Sequence, residues 1–317
     1  MTADTLLPAL TEAARHAAHP AHRAAATPCP CGAEDAVLAD RDDGTVVRHG
    51  DVVAKAHAQD TDPAALARRL SVAASLPGVL LPPLDRIPVD LLGRRVTLWP
   101  YGGPVDPETP EAAPWEAAGT LLARLHLAPA PDGLPPMRGP DKALRAIARL
   151  RAAGPHPAAA PVLRAWAALP GWARAEAPMP DVTTLCHGDL HLGQLVRRPA
   201  PDGPWFLIDV DDLGVGEAAW DLARPAAWYA CGLLPSDEWL RFLTAYRAAG
   251  GPAVPAAGDP WPALDVVARA LTVQTAALAV VKSAAADRPL DEVQRAVVDA
   301  CDRMSSTPPE LTRGFAT

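Results

Sequence analysis

The chain has 317 residues, of which 49% are hydrophobic and 21% charged, and a formal net charge of −8. That length suits a two-lobed domain or two modest domains, and the balance excludes a disordered chain. The negative charge provides no basic footprint for nucleic acid or an anionic membrane surface, so neither is expected as a partner.

Residues 4–26 begin with helical spacing at Leu6, Leu7, Leu10, Ala13 and Ala14, which ends at Pro20. Thr11, Glu12, Arg15 and His16 interrupt any apolar core there, so a cytoplasmic protein without a secretory signal is expected. From Asp35 the texture turns strand-like. DAVLAD, TVVRH and VVAKAHA are separated by RDDG and GD, which predicts a three-stranded antiparallel meander. Asp62 and Pro63 predict the N-cap and first residue of a helix over 62–76.

Two further strands are expected in GVLLPPLDRIPV and RRVTLWPY. A proline-rich connection, Pro104–Pro114, precedes WEAAGTLLARLH, a helix with Trp115, Ala118, Leu122 and Leu125 on one face. The remainder reads as helical, interrupted only by proline, glycine and one polar window. The expected division is an N-terminal helical arm (1–27), a small β lobe (28–103) and a helical lobe (104–317). The apolar stretch 270–286 carries Gln274 and Lys282 and reads as too short and too weak to span a bilayer. Five cysteines include Cys29 and Cys31 in a C-x-C, but no second C-x-x-C or matching His spacing follows. Reduced thiols are expected rather than a zinc site.

The polar window runs from TLCHGDLHLGQLVRR into WFLIDVDDLGVGEAAWDLA. Polar residues clustered between strand-like runs are costly unless something uses them. LVRR and WFLIDV read as a hairpin joined by PAPDGP, with Asp189 and Asp209 expected at the two edges of one ribbon. One carboxylate can orient an attacking hydroxyl and accept its proton. The other, with the amide oxygen of Gln194, can hold a hard divalent cation.

HGDLHLGQ, IDVDDLGVG and AWDLA resemble the motifs of the aminoglycoside phosphotransferase family, which shares the protein-kinase-like fold. The LLARLH helix and the lysine of VVAKAHA fall at matching places, and the glutamine form HGDLHLGQ is also seen in maltokinase-like proteins. The resemblance covers most of the chain from about residue 35 and is strongest over 186–224. It implies an α+β, protein-kinase-like two-lobed fold, with a small antiparallel β lobe and a larger, mainly helical lobe. It also implies transfer of the γ-phosphate of ATP or GTP to a hydroxyl, with Mg2+.

Carried over residue by residue, the resemblance makes Asp189 the catalytic base and Asp209 the main magnesium ligand. Gln194 stands where the family usually has a metal-binding Asn, and Lys55 would bind the α/β-phosphates. Asp211 and His191 are secondary site residues, while His187 and Asp221 support the catalytic loop.

The phosphate-covering turn RDDGT (Arg41–Thr45) departs from the pattern, with one glycine and two acids that would repel a triphosphate unless they point away or Arg41 and Arg48 offset them. The helix after Lys55 offers no glutamate to pair it, and Pro100 in LWPYGG has no N–H to donate. The acceptor implied is a hydroxyl of an antibiotic, sugar or metabolite. The alternatives are a peptide Ser/Thr kinase in natural-product biosynthesis, with a protein partner, and a non-catalytic pseudokinase binding module. Retention of Asp189 and Asp209 argues against the last. The acids Asp287, Asp291, Glu292, Asp299 and Asp302 recur among arginines at helical spacing, as on a solvated face rather than in a polycation pocket.

Overall fold

The structure is a computed structural model, and it describes residues 3–19, 31–41 and 43–306. In chain order it begins with α1 (Ala3–Ala18), β1 (Asp35–Arg41), β2 (Gly44–His49), β3 (Val52–His57) and α2 (Pro63–Ser75). Then come β4 (Val89–Leu91), β5 (Arg94–Pro100), β6 (Gly103–Pro104), α3 (Trp115–Leu127), α4 (Gly139–Ala152) and α5 (Ala159–Ala167). Three short strands, β7 (Thr184–Cys186), β8 (Leu195–Arg197) and β9 (Trp205–Leu207), precede β10 (Gly214–Gly216). The chain continues with α6 (Ala223–Ala230), α7 (Ser236–Ala248), α8 (Trp261–Ala285) and α9 (Glu292–Ser306).

Two compact units result, one formed by Met1–Ala113 with Gly193–Asp211 and the other by Pro114–Leu192 with Asp212–Thr317. This division differs from the expected one in two respects. The N-terminal helix is no separate arm: Leu10 and Ala14 sit in one core with Val47, Ala54, Ala56 and Val96. The hairpin of Gly193–Asp211 also belongs to the first unit, because β8 pairs with β6 and the Val79–Leu81 segment hydrogen-bonds β9.

The first unit is built on an antiparallel sheet in the order β1-β2-β3-β5-β4. Side chains alternate between the two faces of a strand. Val52, Ala54 and Ala56 of β3 therefore join the core shared with α1, while Lys55 and His57 point from the opposite face. The expected meander is present, and Asp62 caps α2 by accepting from the Ala64 and Ala65 N–H groups at 2.8 and 3.4 Å. The strand expected in GVLLPPLDRIPV does not form, and only its last residue, Val89, enters a strand, β4. Its prolines remove ladder donors, and Leu80 makes only an isolated bridge, to Leu207.

In the second unit the apolar α8 packs against α4, α5, α6 and α9, and α3 packs closely against α7. At Gly119 a Cβ would come within 2.4 Å of the Phe242 carbonyl oxygen, so only glycine allows that helix approach. The stretch expected to be too short for a membrane lies inside α8, which at 25 residues is long and apolar enough to cross one. Its most apolar window is 67% buried against the protein, the pattern of a core helix.

Candidate active site

Lys55 is the cation of the first unit's cluster. Its Nζ lies 2.7 Å from Asp209 Oδ1 and 3.0 Å from Asp211 Oδ2. These carboxylates take the place of the glutamate that α2 lacks. Because Lys55 and His57 share a face of β3, His57 also reaches the cluster, with Nδ1 2.8 Å from Asp211 Oδ1 and Nε2 2.8 Å from Thr97 Oγ1. Burial alone would lower the Lys55 pKa, but Asp209 and Asp211 outweigh it and hold the ammonium charged beyond the ordinary lysine range. Burial likewise opposes the Asp211 carboxylate, and Lys55 and His57 overcome it, keeping Asp211 ionised far below the usual range.

Asp209 leaves strand geometry at φ +64°, a left-handed backbone adopted mainly by glycine and, less often, by asparagine and aspartate. It follows directly on the end of the hairpin, where Ile208 N–H donates to the Gln194 carbonyl at 2.9 Å. Gln194 and Asp209 therefore leave one end of the same ribbon. Asp209 Oδ1 is occupied by Lys55 and by the Asp211 N–H at 3.3 Å, which leaves Oδ2 for a cation. Its side chain is 34% exposed, and Gln194 is partly exposed. These two oxygen donors fit a hard divalent cation such as Mg2+. Each Asp211 oxygen faces a partner, Lys55 or His57, so this carboxylate anchors both side chains beside Asp209.

The turn between β1 and β2 is tight, with Arg41 paired to Gly44 across it, and Asp42 lies outside the described residues. Arg48 lies against Tyr101. The guanidinium stacks 3.4 Å from the Tyr101 ring centroid and donates to the Gly50 carbonyl at 2.7 Å.

Asp189 belongs to the second unit, which corrects the expectation that it shares a ribbon with Asp209. Its turn follows β7, and β7 pairs with β10 rather than with β8 or β9. Lys142 Nζ on α4 donates to Asp189 Oδ2 at 2.7 Å, and Arg224 Nη2 on α6 donates to Oδ1 at 2.9 Å. Lys142 also donates to Asp212 Oδ2 at 2.7 Å, and Arg138 Nε approaches Asp212 Oδ1 at 3.7 Å. Burial pushes the Asp189 pKa up, but Lys142 and Arg224 outweigh it and hold the carboxyl well below its ordinary range.

The loop that carries Asp189 is fixed from beneath by Asp221, which is buried. Asp221 accepts the His187 N–H at 2.6 Å and the Gly188 N–H at 2.7 Å, the supporting role expected of it. His126 Nε2 lies 3.0 Å from the same carboxylate, and its Nδ1 lies 2.8 Å from the Tyr246 hydroxyl. A carboxylate oxygen accepts, so Nε2 donates to Asp221, and in the neutral ring Nδ1 then accepts from the Tyr246 hydroxyl, which itself accepts the Ala253 N–H at 2.9 Å. His187 is fully buried beside this network. His191 is partly exposed. Burial first, then the Arg224 charge, lowers its pKa to about 4, so the imidazole is neutral near neutral pH.

The sequence did not point to Lys142 or Arg224. Lys142 lies in GPDKALRAIARL, whose spaced cations match any solvated helix, and the clue to Arg224 was its place just after the WDLA motif.

A family model described as the phosphotransferase enzyme family (APH) matches residues 26–261, and the chain belongs to that family. Among solved structures it resembles a choline/ethanolamine kinase family protein from Mesorhizobium loti. The identity is 21%, over 96% of this chain and 97% of that one, with a TM-score of 0.56. It also resembles the aminoglycoside phosphotransferase APH(4)-Ia, at 14% identity over 87% and 94% of the two chains and a TM-score of 0.57. A third is the spectinomycin phosphotransferase APH(9)-Ia in complex with ADP and spectinomycin, at 13% identity over 87% and 89% and a TM-score of 0.54. At these identities the likeness establishes the kinase-like fold. No curated protein matches the sequence.

Proposed function

We propose that the protein transfers the γ-phosphate of ATP or GTP to a hydroxyl of a small molecule, with Mg2+ as the metal. The observation that carries this reading is Asp189, gripped at both carboxylate oxygens in a loop whose backbone is fixed by Asp221. Family membership supports phosphoryl transfer, and solved relatives of the same fold were captured with ADP or AMP-PNP.

In this reading Lys55 offers a permanently charged ammonium to phosphate oxygens, with Asp209 and Asp211 setting its position. Asp209 and the Gln194 amide oxygen would hold the magnesium, which when bound would neutralise phosphate charge. Asp189 orients the acceptor hydroxyl. The hydroxyl oxygen bonds to phosphorus as the bond from the γ-phosphorus to the nucleoside diphosphate breaks, and the hydroxyl proton passes to Asp189. A carboxylate held this acidic is a weak base, so orientation is its main contribution and the proton moves late. A loose phosphoryl-transfer transition state requires no more.

The charges around Asp189 support a neutral or anionic acceptor. Among the described residues, Arg138, Lys142 and Arg224 make ion pairs with Asp189 and Asp212, and Trp220, Leu271 and Gln274 line the adjoining recess. A neutral or anionic hydroxyl compound suits that excess of cations, whereas a polycationic aminocyclitol meets repulsion. The test is transfer of labelled γ-phosphate from ATP and GTP, with Mg2+, to a panel of sugars, hydroxy acids and aminoglycosides. Transfer to a neutral or acidic member supports the reading, and transfer confined to aminoglycosides contradicts the acceptor assignment.

A further inference from the structure

We infer that His19, Cys31 and His49 form a zinc site in the first unit. His19 follows α1, Cys31 precedes β1, and His49 is the last residue of β2. Their ligand atoms all lie within 4.8 Å of one another. Val47 and His49 share a face of β2, the face that packs on α1, and this brings the His49 ring to His19. The two ring centroids are 5.5 Å apart, edge to face.

The geometry around His49 is that of a metal ligand. Its Nε2 lies 3.4 Å from Cys31 Sγ. A tetrahedral zinc with ordinary Zn–N and Zn–S bonds separates two such ligand atoms by roughly 3.5 Å. On the other side of the ring, Nδ1 lies 2.8 Å from Asp35 Oδ1. Asp35 stands directly opposite His49 in the β1–β2 register and is itself held by Arg15. A carboxylate that takes the Nδ1 proton leaves Nε2 with its lone pair toward the cluster, the tautomer a metal requires. The Ala33 N–H also donates to Cys31 Sγ at 3.4 Å. On binding, Cys31 loses one proton and the metal takes its sulfur.

Two imidazoles and one thiolate suit zinc's borderline softness, with a further donor at the fourth corner. The sequence argued against zinc because no nearby pair of metal-spaced residues accompanies the C-x-C, and Cys29 lies outside the described residues. The fold supplies the histidines instead, one from before β1 and one from the end of β2.

A second group, His126, Cys186 and Asp221, is as closely spaced but differs in kind. The carboxylate and both imidazole nitrogens are engaged in the network beneath the Asp189 loop, and burial holds the Cys186 thiol protonated.

The test uses the full chain, stripped with a chelator and titrated with Co2+. The site predicts one equivalent bound with a thiolate-to-cobalt charge-transfer band and the strong visible bands of tetrahedral cobalt. Cobalt bound only at oxygen donors would give no thiolate band. Cys31→Ser, at an exposed position, should abolish the band while circular dichroism is unchanged. Asp35→Asn should weaken Zn2+ competition about ten- to a hundredfold, the usual effect of removing a carboxylate behind a ligating histidine. Absence of a thiolate band in the wild type, or its persistence in Cys31→Ser, would overturn the site. Unchanged Zn2+ affinity in Asp35→Asn would do the same.

Discussion

Lys142 Nζ lies 2.7 Å from Asp189 Oδ2, and the same ammonium lies 2.7 Å from Asp212 Oδ2. One helix side chain thus sets both the direction of the Asp189 carboxylate and its charge. Replacing it with Met removes an opposite charge at hydrogen-bonding distance, a change that commonly moves a carboxylate by about 1–3 pH units. The Asp189 pKa is depressed in the wild type, so its loss of charge lies far on the acid side. In Lys142→Met the acid limb of kcat should move to higher pH. Superimposable wild-type and variant profiles would mean that Lys142 does not tune this carboxylate.

In the proposed function the Gln194 amide oxygen would bind the metal together with Asp209, so removing it should act through the metal. Gln194→Ala is expected to raise the Mg2+ concentration giving half-maximal activity while reducing the metal-saturated rate less. Gln194→Asn shortens the reach by one methylene and should be partly active. Magnesium dependence unchanged in the alanine variant would leave Gln194 as a bracing residue of the ribbon.

Gly188 adopts φ +85°, and a Cβ there would lie 2.3 Å from the Asp212 carbonyl oxygen. Backbone strain alone costs a residue other than glycine roughly 1–3 kcal/mol at such a position, and the clash adds to it. Gly188→Ala should therefore lower the melting temperature and displace Asp189 from Lys142 and Arg224. A variant with wild-type stability and turnover would show that the loop relaxes without cost.

Stability should fall in acid through Asp211 and Asp189, whose folded pKa values are both depressed. Such groups bind fewer protons folded than unfolded. Their contribution is complete above the unfolded carboxylate value of about 4 and is lost as the pH falls from there toward the folded values. Urea unfolding at about pH 6 and about pH 3 should show this loss, with a smaller pH dependence in Asp211→Asn. That variant also leaves Lys55 and His57 short of a buried partner, so its stability near neutral pH should drop by roughly 3 kcal/mol.

What could be read from the sequence was local. Alternation at Val52, Ala54 and Ala56, the Asp62-Pro63 helix start and the HGD turn each depend on residues close together in the chain, and each appears in the fold. What could not be read depends on distant pairings. The acids for Lys55 lie more than 150 positions away, at Asp209 and Asp211, so a search of the following helix could not find them. Lys142 reaches Asp189 across 47 positions from a helix whose charges look like solvated ones. The common ribbon for Asp189 and Asp209 failed for the same reason. β7 reads as continuous with the hairpin, but its partner is β10, across the motif that carries Asp209. The GVLLPPLDRIPV strand was lost to its own prolines, which local propensity underweighted beside so apolar a run.

The central claim is that Asp189 orients the acceptor hydroxyl while Lys55 and Asp209 serve the nucleotide. The most direct measurement is single-turnover phosphoryl transfer by Asp189→Asn, made alongside the affinity of Mg2+–ATP for the same protein. The account predicts a rate at least about a hundredfold slower, the usual contribution of a positioned general base, with nucleotide affinity close to wild type. A variant that retains most of its transfer rate would contradict it, and the hydroxyl would have to be oriented by another group, with the neutral His191 the first to examine.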